Sequence, residues 1–362
     1  MTDALSLPPY TGPASLRERF RRVAANGLLS HALPAEFGGR GDDYLALCQT
    51  HRKLGKISRD PGLVLMVNAH LWGAVFPLLR HGDEKQRKRF LPPLIRGDWL
   101  AGHAITEPGC GTDVQAMTAR AKIDGDGYRL HGEKRYITNA PLADWLIVYA
   151  RLDGPISAFL VHRDDPGCRF TDEHALQACR GSTTGGVWLN DCRIGADRLL
   201  GKPGAGERIL QQALEYERAF IFAGITGVMD WQLEQVVARS RQRLSGNGHL
   251  GRHQAIAHRI ADMTLRLNTL NLWLQECARL ADTGQRLTLA AAQTKLYAAE
   301  AFLQSSLDAV HLFGALGLEA ESGLVELVQD ALAGRLFSGS SEALKNLIAA
   351  LSGTGEGYRA RR

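Results

Sequence analysis

Closely spaced pairs of cysteines are absent from this sequence of 362 residues. Its six cysteines are dispersed and form no CxxC motif, and they occupy positions 48, 110, 168, 179, 192 and 277. A disulfide framework or a cysteine zinc site needs thiols in a recognisable pairing or spacing, so this pattern argues against both. Reduced thiols suit the cytoplasm, and we therefore expect a cytoplasmic protein.

Strong charge of one sign and long apolar runs are also lacking. The net charge is only +5 and the basic residues are scattered, so we expect no nucleic-acid partner. The first residues, MTDALSLPPYTGP, have neither the basic leader nor the apolar segment of a secretion signal. The longest near-continuous apolar run, around 219–229, is too short for a bilayer span, so we expect no membrane partner.

What is present falls into three stretches of different periodicity. From about 15 to 98 the patterns are helical, and DEKQRKRFLPPLIRG begins with acidic residues and ends at glycine, as a helix does. From about 100 to 200, short β-prone runs separated by Gly, Asp and Pro predict an antiparallel barrel or sandwich. Long helical patterns then return and predict a bundle, and they cover 205–242, 252–282, 287–314 and two shorter segments.

The order of these stretches predicts a mainly α protein with an inserted β domain. An N-terminal helical domain is expected over 1–101, a central antiparallel β domain over 102–203, and a C-terminal helical bundle over 204–362.

The stretch GHAITEPGCGTDVQAMTARAKIDGDGYRLHGEKRYITNA, residues 102–140, concentrates hydroxyls, glycines and an aromatic ring around short strands. The groups are the hydroxyls of Thr106, Thr112 and Thr138, the ring of Tyr136 and two glycines at 109 and 111. Hydroxyls and glycine N–H groups can hydrogen-bond a polar heterocycle or a pyrophosphate. Ordinary turn chemistry is the other interpretation of the same residues.

This stretch resembles the flavin-binding region of the acyl-CoA dehydrogenase family, whose patterns run roughly TEPxAGSD and NGxKxWITN. Cys110, Thr112, His131 and Tyr136 replace alanine, serine, asparagine and tryptophan of those patterns. Further blocks agree in order: LPAEFGGRG, GDEKQRKRFLPPLIRGD, CRGSTTGGVWLNDCRI and LLGKPGAG. The family fold is a helical domain, a β domain and a C-terminal four-helix bundle, which is the order predicted above.

The resemblance implies FAD as the cofactor. Thr106 and Thr138 would bond the flavin ring, Tyr136 would pack near it, and Thr112 would hold the phosphate region. In the family each FAD also contacts a neighbouring subunit, which implies a homotetramer or at least a dimer. The residues matching that contact are Arg243, Gln254, His311 and Gly314, with His311 in the place of the family's glutamine.

A second feature is the carboxylate of Glu217 within LEYERAFIFAGITG. On a helix, Glu217 shares a face with alanine, leucine, phenylalanine and isoleucine at positions 213, 214, 220 and 221, whereas Glu215 shares a polar face. Burial raises the pKa of a carboxyl group, and a base with a raised pKa suits removal of a proton next to a thioester. A buried glutamate paired with an arginine is the alternative reading.

The late part of the chain bears on the same residue. Most of the family carries its catalytic glutamate late, in YEGTxQ, but here the matching stretch is FSGSSEALKN and Ser338 takes that place. A subset that includes isovaleryl- and long-chain acyl-CoA dehydrogenases carries it earlier, directly before an arginine. The resemblance to that subset implies Glu217 as the base and places Arg218 and Ser338 at the substrate, with Glu342 outside the chemistry.

The expected reaction is FAD-dependent α,β-dehydrogenation of an acyl-CoA or acyl-carrier-protein thioester, with an electron-transfer flavoprotein or oxygen as electron acceptor. Two alternatives stay open: a flavin-dependent monooxygenase on the same fold, and a subunit that only completes an assembly. No metal site is expected, because the histidines at 249, 253 and 258 lack the carboxylate of an HExxH motif.

Overall fold

A computed structural model of the chain describes residues 7–8, 10–171, 174 and 176–356, except for the side chains of residues 13 and 14. The outer ends of the first and third predicted domains, at 1–6 and 357–362, lie outside the described residues. The chain divides into two compact units. Unit 1 comprises Met1–Asp42, Leu65–Leu176 and Arg180–Glu217, and unit 2 comprises Asp43–Val64, Gln177–Cys179 and Arg218–Arg362.

Most of residues 13–95 are helical. The helical segments are α1 (Pro13–Ala25), α2 (Tyr44–Ser58), α3 (Pro61–His70), a π-helical turn (Leu71–Val75), α4 (Phe76–His81) and α5 (Glu84–Ile95). The predicted start of α5 is confirmed: the Asp83 side chain accepts from the backbone of Gln86 and the Gln86 side chain accepts from the backbone of Asp83. After α5 the chain turns at Gly97, whose φ of 74° favours glycine.

The central part of the chain forms an eight-stranded sheet. Its strands are β1 (Ala101–Ala104), β2 (Arg120–Asp124), β3 (Gly127–Thr138), β4 (Trp145–Leu152), β5 (Ile156–His162), β6 (Cys168–Phe170), β7 (Thr184–Gly195) and β8 (Leu199–Leu200). The order is β6-β7-β3-β2-β4-β5-β8, with β1 also paired to β4. The sheet lies within unit 1.

The sheet is mixed rather than wholly antiparallel as expected. Strand β4 runs parallel to both β1 and β2, while its pairing with β5 is antiparallel. Seven of the eight residues of β4 are buried, and the Tyr149 and Phe159 side chains of β4 and β5 are fully buried. Such continuous burial fits strands covered on both faces. Strands β4 and β5 therefore form the core of the sheet.

The C-terminal part of the chain is helical again, as predicted. It contains α6 (Gly206–Phe220), α7 (Ala223–Gln242), a hairpin of β9 (Leu244–Ser245) and β10 (Gly248–His249), α8 (Gln254–Asp282), α9 (Thr288–Phe313), α10 (Leu324–Gly334) and α11 (Ser341–Leu351). One prediction was wrong in detail. The expected continuous helix over 205–242 breaks at Ile221 and Phe222, where no glycine or proline marks the turn in the sequence.

Glycines explain how α2 and α7 pack together in unit 2. A Cβ on Gly55 would lie 1.7 Å from the Gly224 carbonyl oxygen, and one on Gly227 would lie 1.8 Å from the Arg52 carbonyl oxygen. The two backbones are therefore in direct contact, which no larger residue would permit. An ion pair of 2.6 Å between Arg52 and Asp230 fixes the same two helices.

Two helical stretches are long and apolar enough to cross a membrane by length and composition, which corrects the expectation that no such run exists. They span Pro61–His81 and Thr288–Leu318. Within the most apolar window of each, 89% and 44% of the residues are buried inside the protein. A helix that is apolar all round is buried in a core or in a membrane, and the first of these is covered by the protein itself.

His70, at the end of α3, anchors the first strand of the sheet. The Ala101 N–H donates to His70 Nδ1 at 3.0 Å, so the ring proton is on Nε2 and is donated to the Leu94 carbonyl at 3.1 Å. Burial lowers the pKa of His70 to about 3. The imidazole is therefore neutral, and it holds the start of β1 against α5.

We expect His70 to make the free energy of unfolding depend on pH. Between pH 6.5 and about 3 the unfolded chain binds one proton more at this residue than the native protein does. The free energy of unfolding should therefore fall by about 1.4 kcal/mol for each pH unit lost in that range. In His70→Gln this contribution is absent. The free energy of unfolding, measured by denaturant titrations between pH 4.5 and 7, should therefore change with pH by about one proton less than in the unsubstituted protein. Equal slopes in both proteins would contradict this account.

Candidate active site

Glu217 lies on the apolar face of α6, and its predicted burial is confirmed. Its relative exposure is 5%, and Ala213, one turn earlier on the same face, is fully buried. Glu215, two residues earlier, is partly exposed on the other face. The neighbouring Tyr216 ring packs 4.3 Å from the ring of Phe76. A carboxylate is thus held inside an apolar and aromatic wall of unit 1.

Two polar side chains from the sheet face Glu217, and the sequence reasoning missed both. His103 Nε2 lies 3.6 Å from Glu217 Oε2. In the parallel register of β1 and β4, His103 pairs with Ile147, so Tyr149 points to the same face of the sheet. Burial, followed by the charge of Glu217, raises the pKa of Tyr149 well above its usual value.

The imidazole of His103 is neutral. Burial lowers the pKa of His103 and outweighs the opposing effect of the Glu217 carboxylate. Among the described residues, no hydrogen-bond partner is found for its Nδ1 atom or for the hydroxyl of Tyr149. Buried polar atoms without partners are rare in native proteins, and a catalytic role or a bound water or ion is among their explanations. Glu217, His103 and Tyr149 therefore form a buried polar cluster within an apolar wall.

The expected flavin loop follows β1 and is fixed by a buried ion pair. Lys134 Nζ lies 2.8 Å from Glu107 Oε1, and both side chains are almost fully buried. Glu107 also accepts hydrogen bonds from the backbone of Ala119 and from the backbone and hydroxyl of Thr118. Its own backbone pairs with Cys110 across the turn. Burial alone would raise the pKa of Glu107, but the bonds and charge of Lys134 and the bonds of Thr118 lower it overall.

The loop presents the groups that the sequence singled out. Thr106 is partly buried and its carbonyl accepts from the Arg135 N–H at 2.8 Å. Thr112 is exposed, and a Cβ placed on Gly109 or Gly111 would meet nothing within 4 Å. The backbone here is open to a ligand, as the binding of a phosphate or a heterocycle requires.

The second predicted flavin segment closes β3. Thr138 is its last residue, and Tyr136 has a φ of 57° and is 53% exposed. A left-handed conformation in a residue with a bulky side chain is a strained feature that clusters at ligand sites. Next to Thr138, the buried Oδ1 of Asn139 and Oγ1 of Thr183 have no hydrogen-bond partner among the described residues. These groups fit a polar ring system.

The four residues expected to reach a neighbouring subunit's FAD lie in unit 2. Arg243 follows α7, Gln254 begins α8, His311 lies in the last turn of α9, and Gly314 follows it with a φ of 65°. All four are exposed. A pocket of about 490 Å³ beside the β9–β10 hairpin is lined by basic groups that include Arg241, but not by Arg243.

The loop that carries Ser338 is held by two basic side chains of unit 2. Arg218, the residue after Glu217 in the chain, donates from Nε to the Ser338 carbonyl at 2.9 Å. The buried Lys295 donates to the Gly339 carbonyl at 2.6 Å. Glu342 is exposed at the start of α11, and hydrogen bonds from its own backbone and from Ser340 lower its pKa. Glu342 therefore lacks the burial that a strong carboxylate base requires.

No group of three or more His, Cys, Asp or Glu that could hold a metal ion occurs among the described residues. A second pocket, of about 700 Å³, is lined by 131–133, 167–169 and 188–190 in unit 1. None of the predicted flavin residues lines it.

Comparison with known proteins decides the family. Three family models match consecutive parts of the chain: the acyl-CoA dehydrogenase N-terminal domain at 11–98, the middle domain at 102–192 and the C-terminal domain at 204–352. The chain belongs to the acyl-CoA dehydrogenase family.

Similar members of this family include carrier-protein and CoA enzymes. An L-prolyl-[peptidyl-carrier protein] dehydrogenase of Pseudomonas fluorescens is 34% identical over 89% of this chain and 87% of its own length. The mitochondrial short-chain specific acyl-CoA dehydrogenase of Homo sapiens is 32% identical over 91% and 81%. The crystal structure of the prolyl acyl carrier protein oxidase AnaB has a TM-score of 0.91 and 33% identity, over 93% of this chain and 90% of that one.

A further solved structure, of PigA with FAD and proline, has a TM-score of 0.90 and 32% identity over 93% of this chain and 89% of that one. FAD is the cofactor of the acyl-CoA dehydrogenase family, which agrees with the sequence-based expectation.

The residues that sequence reasoning missed share one property. Glu107, Lys134 and His103 are polar groups whose partners are distant in sequence, and the two members of the ion pair are 27 positions apart. The available signal was a polar residue within a short, mostly apolar strand, since His103 stands in AGHA.

Proposed function

We propose that this protein catalyses FAD-dependent α,β-dehydrogenation of an acyl thioester, with Glu217 as the base that removes the α-proton. The observation that carries this proposal is a carboxylate 5% exposed in an apolar wall of unit 1, beside a neutral imidazole. A base in such a wall has little water to compete for the proton. The thioester carbonyl makes the α-hydrogen acidic, and the carboxylate takes it up.

The chain also offers groups that fit FAD. The open backbone at 109 and 111, the hydroxyls of Thr106 and Thr138 and the partnerless polar atoms beside Thr138 would hold the flavin ring and its phosphates. Bound FAD would supply the acceptor for the hydride that leaves the β-carbon. The Glu107–Lys134 ion pair keeps the loop in place for this, and Tyr136 presents its ring at the end of β3.

For the acyl group we propose a CoA-linked or carrier-linked thioester. The names of relatives that are 32–34% identical include both linkages. CoA and carrier proteins present the same pantetheine arm to an enzyme, so one site can accept either. Since two of the similar proteins carry prolyl in their names, the prolyl group is the first acyl group to test. An electron-transfer flavoprotein or oxygen would reoxidise the cofactor.

We further propose a homo-oligomer, a tetramer or dimer, in the cytoplasm. Arg243, Gln254, His311 and Gly314 are exposed in unit 2, where they can reach a second copy. Leu265 and Leu272, seven residues apart on α8, are 64% and 65% exposed, and an apolar face of this kind suits a subunit interface. The six cysteines are free thiols, which suits a reducing compartment. A monomer with full flavin occupancy in light scattering would contradict the oligomer.

The experiment is an anaerobic titration of the flavin-loaded protein with acyl thioesters, both CoA-linked and carrier-linked, followed by visible absorbance. Bleaching of the flavin with formation of an α,β-unsaturated product supports a dehydrogenase. A flavoprotein that no thioester bleaches, but that a reduced nicotinamide reduces, would instead be a monooxygenase. A protein that binds no FAD would be an assembly subunit.

A further inference from the structure

His103 occupies a fixed position at the middle of β1. Two residues earlier, Ala101 is bonded both to His70 and, through the strand ladder, to β4. On the other side Gly73, in the π-helical turn, approaches the ring so closely that a Cβ there would lie 3.0 Å from His103 Cγ and 3.2 Å from Cδ2. The imidazole is therefore confined between the sheet and a turn whose five residues are all buried.

The ring is confined directly beside Glu217. The 3.6 Å between Nε2 and Oε2 is longer than a hydrogen bond, and a shift of under 1 Å would close it. Catalytic hydrogen bonds are often long in structures without substrate and tighten when substrate binds. Both side chains are mostly buried, at 15% and 7% exposure, so a bond between them would not be weakened by water.

The charge states make His103 the donor in such a bond. A neutral imidazole has one N–H and one acceptor nitrogen, and an ionised carboxylate only accepts. Nδ1 has no hydrogen-bond partner among the described residues, so nothing there favours the opposite tautomer. The titratable groups described as facing Glu217 in unit 1 are His103 from β1 and Tyr149 from β4. Tyr149 remains a neutral phenol, and the imidazole of His103 lies at ion-pair distance from the carboxylate.

We propose that His103 is a positioning residue for Glu217, donating its Nε2–H to the carboxylate and thereby orienting it. The proposal rests on the role of Glu217 in the proposed function. A hydrogen bond donated to a carboxylate favours the charged form of that group and restricts its orientation. The bond from His103 would therefore hold the base in one orientation toward the substrate.

The test compares three variants of the flavin-loaded protein. Glutamine places an N–H where Nε2 of histidine lies, asparagine places its amide nearer Nδ1, and leucine has no donor. The rate of anaerobic flavin reduction at saturating thioester is measured by stopped flow from pH 5 to 9. We expect the pH midpoint to rise by about 1 to 2 units in His103→Leu and His103→Asn. We expect the His103→Gln midpoint to lie within about 0.5 unit of the unsubstituted protein.

The pH midpoint separates positioning from a merely structural role, because a poorly packed variant would lose rate at every pH without moving the midpoint. The substrate dissociation constant should change less than about threefold in all three variants. His162→Gln, a partly buried histidine on β5, is the matched control and should leave the midpoint unchanged. An unshifted His103→Leu, or a His103→Gln shifted as far as His103→Leu, would overturn the proposal.

A second measurement does not depend on turnover. Nitrogen NMR of protein that carries a nitrogen isotope label in its histidine rings reports the tautomer of His103. The His103 signal is identified because it disappears in His103→Gln. We expect the Nε2–H tautomer, and a shift of that signal in Glu217→Gln. An Nδ1–H tautomer, or a signal that ignores Glu217→Gln, would refute the bond even in a protein that oxidises no thioester. Failure of the proposed function would instead appear as an unsubstituted protein that no thioester bleaches.

Discussion

Replacing Glu217 by glutamine is expected to slow flavin reduction by a saturating acyl thioester about 10³- to 10⁴-fold. Glutamine has nearly the same shape, so the apolar wall around position 217 keeps its packing, but the amide cannot take up the α-proton. The measurement is the rate of bleaching in anaerobic stopped flow, together with the flavin content of the purified variant. We expect the flavin content to stay at the level of the unsubstituted protein.

Two matched variants show whether the effect belongs to this carboxylate. Glu215→Gln lies two residues away on the polar side of the same helix, and Glu342→Gln is the exposed glutamate near Ser338. Both should keep most of the activity. A Glu217→Gln protein that bleaches at the unsubstituted rate would remove Glu217 as the base, and a large loss in Glu342→Gln would point to the late part of the chain instead.

Replacing Glu107 by glutamine should have the largest effect on stability. The side chain of Lys134 is fully buried and would lose its carboxylate partner. Breaking a buried ion pair from one side costs about 3–5 kcal/mol of unfolding free energy. Because Glu107 also ties the turn to Thr118 and Ala119, the variant should lose much of its FAD at a concentration that saturates the unsubstituted protein. Denaturant unfolding and flavin absorbance after gel filtration measure the two effects.

A double substitution separates the unpaired charge from the lost shape. Glu107→Gln combined with Lys134→Met removes both charges, so it should recover part of the stability that Glu107→Gln alone loses. Glu133→Gln, a partly exposed neighbour of Lys134, should change the free energy of unfolding by less than about 0.5 kcal/mol. A Glu107→Gln protein as stable as this control would mean that the buried pair does not hold the loop.

The elements that the sequence predicted well are those fixed by local signals. The start of α5 follows from Asp83 and Gln86, and the burial of Glu217 follows from spacings of three and four residues. The break at Ile221 and Phe222 was missed because the apolar period continues through it without a glycine or proline. The parallel pairing of β1 was missed because AGHA contains no β-branched residue and its partner lies 44 residues later.

The residues of the candidate site also fall into those with a local sequence signal and those without one. The loop at 106–112 and the end of β3 were predicted to bind flavin from motifs, since a flavin requires particular groups at particular spacings. His103 and the Glu107–Lys134 pair could not, because their importance arises from contacts made only after the sheet has formed. Sequence patterns describe which face of an element is apolar, whereas the partner of a buried polar group depends on the tertiary fold.

The glycine contact between α2 and α7 has a consequence for synthesis of the protein. Arg52 and its partner Asp230 are 178 positions apart in the chain. A ribosome adding 5–20 residues per second would therefore leave α2 exposed for about 10 to 35 seconds before α7 emerges. Throughout that interval the nascent chain carries a half-apolar helix with no surface to cover it. Unit 2 must therefore fold late in translation or after release, and α2 is the segment where a chaperone would have most to protect.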